Sequence, residues 1–210
     1  GESAEEAYRR VYVGGSRHLL QALGDQHRLR HFWVSSTSVS GEQNGGWVDD
    51  DTVISASSPT TQALVAAEAV ANASAWPCTI VRFGGLYGPG RHWLLRWIRS
   101  GRAMQSQPPV WTNRIHVEDA AAFLAHLVTL TLQGVPLHES YIGVDDAPSA
   151  QHDVLTWLAQ QLGCSAPPEV NDINTQQGKR LRNSRLRASG YDLQYPSFKE
   201  GYLHVLAASE

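Results

Sequence analysis

Residues Thr79–Arg91 read T-I-V-R-F-G-G-L-Y-G-P-G-R, a short β-branched run that stops at a glycine-rich corner. Thr79, Ile80, Val81 and Phe83 predict a buried strand, because Pro77 before them and Gly84-Gly85 after them leave no room for a helix. In open α/β sheets ligands sit outside the carboxyl ends of the strands. The corner carrying Tyr87, Arg91 and His92 is therefore the first place to expect a site.

Outward from that strand, the chain alternates. Ala7, Val11, Leu19, Leu20 and Leu23 recur at helical spacing over 4–23, and Gly24 ends the helix. His31-Phe32-Trp33-Val34 predicts a strand running straight into the hydroxyl-rich turn Ser35–Ser38. Residues 41–57 read as loop. Ser58 as N-cap and Pro59 as first helical residue open a helix to about residue 74. Beyond the corner, Trp93–Ile98 predicts a short helix closed by Gly101, 102–113 is irregular, and Arg114–Val117 is extended. Asp119 introduces a helix at the end where its charge suits the dipole. A strand at 141–144, an amphipathic helix at 150–162 and a final helix at 197–208 complete an α/β pattern with a largely parallel sheet. Trp33, Trp93, Trp97 and Trp157 are expected to pack in the core or between domains.

With 210 residues, 42% hydrophobic and 18% charged, the chain can bury a substantial core. A formal charge of -3 gives no general attraction to nucleic acid or an anionic membrane. The basic run Lys179, Arg180, Arg182, Arg185 and Arg187 reads as a solvated face, or as one or two contacts to an anionic ligand. Nucleic-acid binding would need a wider positive face with stacking aromatics. No apolar stretch reaches the length of a membrane span, and the acidic start does not read as a signal peptide. Cys78 and Cys164 form no C-x-x-C pair, so a cytoplasmic location is expected.

Four ordered motifs, V-S-S-T-S-V-S-G (34–41), G-W-V-D-D (46–50), I-V-R-F-G-G-L-Y-G-P-G-R (80–91) and N-R-I-H-V-E-D-A-A (113–121), resemble the extended short-chain dehydrogenase/reductase superfamily. Within it they resemble the NAD(P)-dependent epimerase/dehydratase family. The tail, K-R-L-R-N-S-R-L-R-A-S-G-Y (179–191) and Y-P-S-F-K-E-G (195–201), resembles its atypical YeeZ-like branch. The resemblance implies an α/β fold: an incomplete doubly wound Rossmann-like parallel sheet with a small C-terminal substrate-type domain. The division expected is 1–92 and 114–135 for the Rossmann-like part, 93–113 as a substrate-domain insertion, and 136–210 as the substrate-type region.

Two departures from the family pattern stand out. Its opening strand–G-x-x-G-x-x-G–helix, which lets backbone approach a pyrophosphate at a helix N-terminus, has no counterpart here, as though about 80 residues, roughly two βα units, were missing. Gly85-x-x-Gly88-x-Gly90 has the wrong order of spacings for that loop. The family's Tyr-x-x-x-Lys pair, in which lysine lowers the tyrosine pKa for proton transfer, aligns with Thr60 and Leu64. No tyrosine or lysine occurs between Val39 and Leu86.

What remains is a set of candidates. Ser36, at the end of a strand, and His116, able to titrate near neutral pH, are the catalytic candidates. Each has a plainer reading, a turn serine and a structurally bonded histidine. The resemblance implies cofactor contacts at Ser35, Gly84, Gly85 and Leu86, and substrate contacts at Thr37, Tyr87, Arg91 and Arg114, with Arg91 suited to a carboxylate or phosphate. Ser36, Tyr87, Arg91, Arg114 and His116 are expected in one pocket. His116 and Asp119 lack a third ligand at sensible spacing, so no metal is expected. The resemblance implies NAD or NADP as cofactor and a small-molecule ligand such as a nucleotide sugar. No nucleic-acid or membrane partner is expected, and a homo-oligomer is. Three functions stay open: an epimerase/dehydratase-like protein, a non-enzymatic dinucleotide-sensing or interaction protein, and a fragment with no cofactor binding of its own.

Overall fold

The computed structural model describes residues 1–24, 26, 30–170 and 175–207. The chain opens with α1 (Ala4–Tyr8), a π-helical turn (Arg9–Gly14) and α2 (Gly15–Leu23). β1 (His31–Ser36), β2 (Trp47–Val48), α3 (Pro59–Asn72), β3 (Cys78–Phe83), β4 (Gly85–Tyr87) and α4 (Trp93–Arg99) follow. Next come β5 (Met104–Gln105), β6 (Val110–Thr112), β7 (Arg114–His116), α5 (Val117–Leu132), β8 (Ser140–Gly143), β9 (Ser149–Ala150) and α6 (Gln151–Gln161). The described chain ends with β10 (Glu169–Val170), β11 (Gln177–Gly178), β12 (Arg180–Leu181), α7 (Ser184–Ala188) and α8 (Phe198–Ala207).

The main sheet has order β1-β3-β8, all parallel, with Ser36 opposite Phe83 and Phe83 opposite Gly143 at the carboxyl ends. A second parallel pair, β4 with β7, sets Gly85 opposite Arg114 and Tyr87 opposite His116. α3 forms where the sequence places it. Ser58 and Thr61 close a capping box around Pro59, and Ala63, Ala67 and Ala71 form a small-residue stripe that lets the helix lie close. On the same face Glu68 meets Arg82 of β3 in a two-pronged ion pair at 3.0 and 2.8 Å, with both side chains largely buried.

Two larger cores follow. Val81, Phe83, Ile115, Phe123, Leu127 and Tyr141 pack between sheet and α5; Leu94, Leu95, Ile98, Leu155, Leu158 and Val205 join α4, α6 and α8. The stretch expected as loop holds β2, which pairs with β12. This pairing corrects the solvated reading for Lys179, Arg180 and Arg185, while Arg182 and Arg187 stay exposed yet also find partners within the chain. Arg180 stacks over Trp47 and Trp111 at 4.9 and 4.8 Å, and Arg182 over Trp47 at 4.5 Å. Lys179 Nζ donates to the Gly41 carbonyl, Arg185 pairs with Asp51, and Arg187 with Asp146. These cations therefore staple the chain. Trp93 is 54% exposed, because it sits on the first turn of α4 where that helix borders a cavity. Among the described residues no helix is long and apolar enough to cross a membrane.

Candidate functional site

Two adjoining cavities lie at the carboxyl ends of β1 and β3, as the open-sheet rule places them. The first, about 760 Å³, is lined by Ser35, Ser36 and Ser38 from the end of β1, Thr60 and Leu64 from α3, and Gly84. The second, about 590 Å³, is lined by Gly85, Tyr87, Arg91, Trp93, Arg96 and Arg114 among others. Leu86 and Arg91 belong to both.

The five side chains expected together divide. Ser36 lies in the first cavity, Tyr87 and Arg114 in the second, and Arg91 in both. His116 lines neither, and neither does Thr37, which is buried in the turn after β1. The reason is local. His116 is the N-cap of α5, where its Nδ1 accepts from the Glu118 N–H at 3.3 Å, so the neutral ring carries its proton on Nε2. Burial holds its pKa below the ordinary value, with the acidic Glu118 opposing. It is a buried, neutral cap.

In the first cavity, the Ser36 Oγ accepts from the Ser38 N–H at 3.1 Å, which leaves its own proton free to donate. The Ser35 Oγ is buried and has no hydrogen-bond partner among the described residues. The sequence reading missed two more members, Tyr8 and Tyr12, whose rings lie 5.1 Å apart on this cavity's wall. The π-helical turn Arg9–Gly14 carries Tyr12. Such turns recur at functional sites, but no sequence pattern marks this one.

In the second cavity, Tyr87 stacks on Tyr202 with ring centroids 4.6 Å apart and donates to the Ser197 carbonyl at 3.4 Å. Burial pushes its phenol far above the ordinary range, so it stays protonated. Arg114 is almost fully buried; its Nη2 donates to the Thr112 Oγ1 at 2.5 Å, and its Nη1 has no partner among the described residues. Behind it, burial pushes the Asp145 carboxyl up to about 7, against the pull of the Arg114 guanidinium. The corner glycines serve a turn, not a pyrophosphate loop: Gly88 and Gly90 have φ of 147° and 78°, and Gly88 bridges to Arg91.

The structure brings a residue to His116 that the sequence reading did not consider. α8 brings His204 beside His116 and Glu118, and their ligand atoms lie within 4.8 Å of one another. The Tyr195 hydroxyl already joins two of them, donating to the Glu118 Oε2 at 2.8 Å and lying 3.0 Å from the His204 Nδ1. The cluster is a hydrogen-bonded network. Asp119, from the same motif, accepts from the Gln194 and Tyr195 N–H groups and the Tyr191 hydroxyl, which anchors the tail.

The chain matches no protein-family model. It is 28% identical over 179 residues to protein YeeZ of Escherichia coli K12, covering 81% of this chain. It spans 60% of the length of that relative. A structure from Methylobacillus flagellatus, assigned provisionally as an NAD-dependent epimerase/dehydratase, is 39% identical with a TM-score of 0.82, over 98% of this chain and 74% of that one. The UDP-glucuronic acid 4-epimerase of Bacillus cereus, solved with NAD, shares the fold at 16% identity, with a TM-score of 0.79 over 100% of this chain and 72% of the other.

Proposed function

We propose, from the premise that this chain belongs to the NAD-dependent epimerase/dehydratase family, that the first cavity receives the nicotinamide end of NAD or NADP and the second a small-molecule substrate. The carrying observation is the orphaned, buried Ser35 hydroxyl beside Ser36 at the carboxyl end of β1, since such a group calls for a ligand. These residues fit the nicotinamide end. Ser35, Gly84 and Leu86 would hold it, and Gly85 lines the adjoining cavity. The cofactor, when bound, supplies hydride chemistry.

The chain's own groups do the rest. Ser36 donates a hydrogen bond to a ligand oxygen, while Tyr87 and Arg114 orient the substrate. Neither Thr60 nor Leu64 can take up a proton, so the usual tyrosine–lysine route is absent. The phenols within the cavity are Tyr8 and Tyr12. A second reading, a dinucleotide-sensing protein without turnover, is favoured by Leu64, an apolar side chain where the family's reaction needs a cation.

The sequence contains no G-x-x-G-x-x-G loop, so this 210-residue chain should bind NADH or NADPH weakly, with a dissociation constant above about 100 μM. Fluorescence titration checks this, and Ser35→Val should weaken binding further. Micromolar binding indifferent to that substitution would refute the cavity assignment. Spectrophotometric turnover with nucleotide sugars separates the two readings: sustained turnover excludes the sensor.

A further inference from the structure

The second cavity gathers three arginines. Arg91, Arg96 and Arg114 line it, and its lining holds no carboxylate. None of the three forms an ion pair among the described residues. Like charges gathered without an ion-pair partner repel one another, and an anionic ligand relieves that repulsion.

The three are not equivalent. Arg91 and Arg96 are exposed at the rim, whereas Arg114 is 6% exposed. Arg114 stands on β7 opposite Gly85 of β4, and the next residue of β4, Leu86, lines both cavities. Arg114 is thus the buried member of the three, whereas Arg91 at the rim borders both cavities. Thr112 fixes its Nη2, the ring of Phe198 lies 5.4 Å from its central carbon, and its Nη1 remains unsatisfied. The facing titratable groups are Asp145, Tyr87 and Tyr202; none forms an ion pair or side-chain hydrogen bond with the guanidinium, although the Asp145 N–H donates to the Arg114 carbonyl at 2.7 Å.

We propose that the ligand of this cavity carries an oxyanion, a carboxylate or a phosphoryl group, and that Arg114, through its unsatisfied Nη1, recognises it. The proposal names the ligand class for the cavity and rests on the reading above only in taking that ligand for the substrate. A planar guanidinium fixed by packing suits two-pronged recognition of such a group.

The test compares D-galacturonate with D-galactose, which differ by a carboxylate in place of a hydroxymethyl group, with inorganic phosphate as the second anion. Calorimetric or ligand-observed NMR titration of the chain should show galacturonate binding at least about tenfold tighter than galactose. Arg114→Met should abolish that preference, while Arg91→Ala should weaken binding and leave the preference in place. If Arg114→Met does not fold, Arg114→Lys, which keeps the charge and loses the fork, should reduce the preference. Phosphate displacing galacturonate more readily than malonate does assigns a phosphoryl group; the reverse order assigns a carboxylate. Equal binding of acid and sugar, no binding of any probe at about 20 mM, or a preference untouched in both Arg114 variants would overturn the proposal. NADH titration of the same protein keeps the two readings apart, because loss of cofactor binding with the acid preference intact sinks only the cofactor assignment.

Discussion

Asp145 is a buried carboxyl whose Oδ1 accepts from the Ala147 N–H while its Oδ2 has no partner among the described residues. Its folded pKa of about 7 stands above the ordinary 3.8, so the folded chain holds this proton more tightly than the unfolded one. Its contribution to stability is therefore fully present below about pH 4 and is lost as pH rises toward 7. Asp145→Asn removes that dependence. The stability difference, variant minus wild type, should move in the variant's favour by up to about 1 kcal/mol per pH unit between pH 5 and 7, read by urea denaturation across that range. A constant difference would show that Asp145 does not titrate there. At the Glu68–Arg82 pair, Glu68→Gln leaves a buried guanidinium uncompensated and should cost about 3 kcal/mol at pH 7. Denaturation midpoints check this, and a loss near zero would mean that solvent reaches Arg82.

Among elements, α8 ties the second cavity to the tail, since its Tyr202 lines that cavity. Its Gly201 lies against the Tyr87 ring, so a β-carbon there would collide with the phenol. Tyr87 cannot yield readily, being stacked on Tyr202 and set edge-on to His116. Gly201→Ala should therefore destabilise by about 1–3 kcal/mol and weaken ligand binding in the second cavity, measured by thermal melting and by titration with galacturonate. Retained stability with unchanged affinity would show that α8 shifts freely. Strands such as β1 and β3, and helices such as α3 and α6, were legible in the sequence because each carries its own signal: a β-branched run, a capping box, a repeating apolar face. The two-residue strands β2 and β12 were not, since neither has a pattern apart from its partner. The basic run was misread for the same reason, its aromatic partners lying 133 residues away in the case of Arg180 and Trp47.

At the scale of the whole molecule, the sheet order leaves β1 at an edge, and Val34, Val11 and Leu19 are about half exposed. An unpaired edge beside uncovered apolar side chains promotes pairing with another chain. The chain should self-associate with rising concentration by light scattering, and Val34→Lys should reduce that. A monomer at every concentration would refute it. The sequence by itself determined the α/β class, the family likeness, and the placing of Ser36, Gly84 and Arg91 at strand ends, because strand, turn and cap signals are local. Only the tertiary structure decided that His116 is buried against Tyr87, Tyr195 and His204, that Tyr8 and Tyr12 enter the Ser36 cavity, that His204 reaches His116 and Glu118, and that Arg114 is buried with an unsatisfied guanidinium nitrogen. Each of these depends on which distant segment packs alongside, and chain spacing carries no information about that.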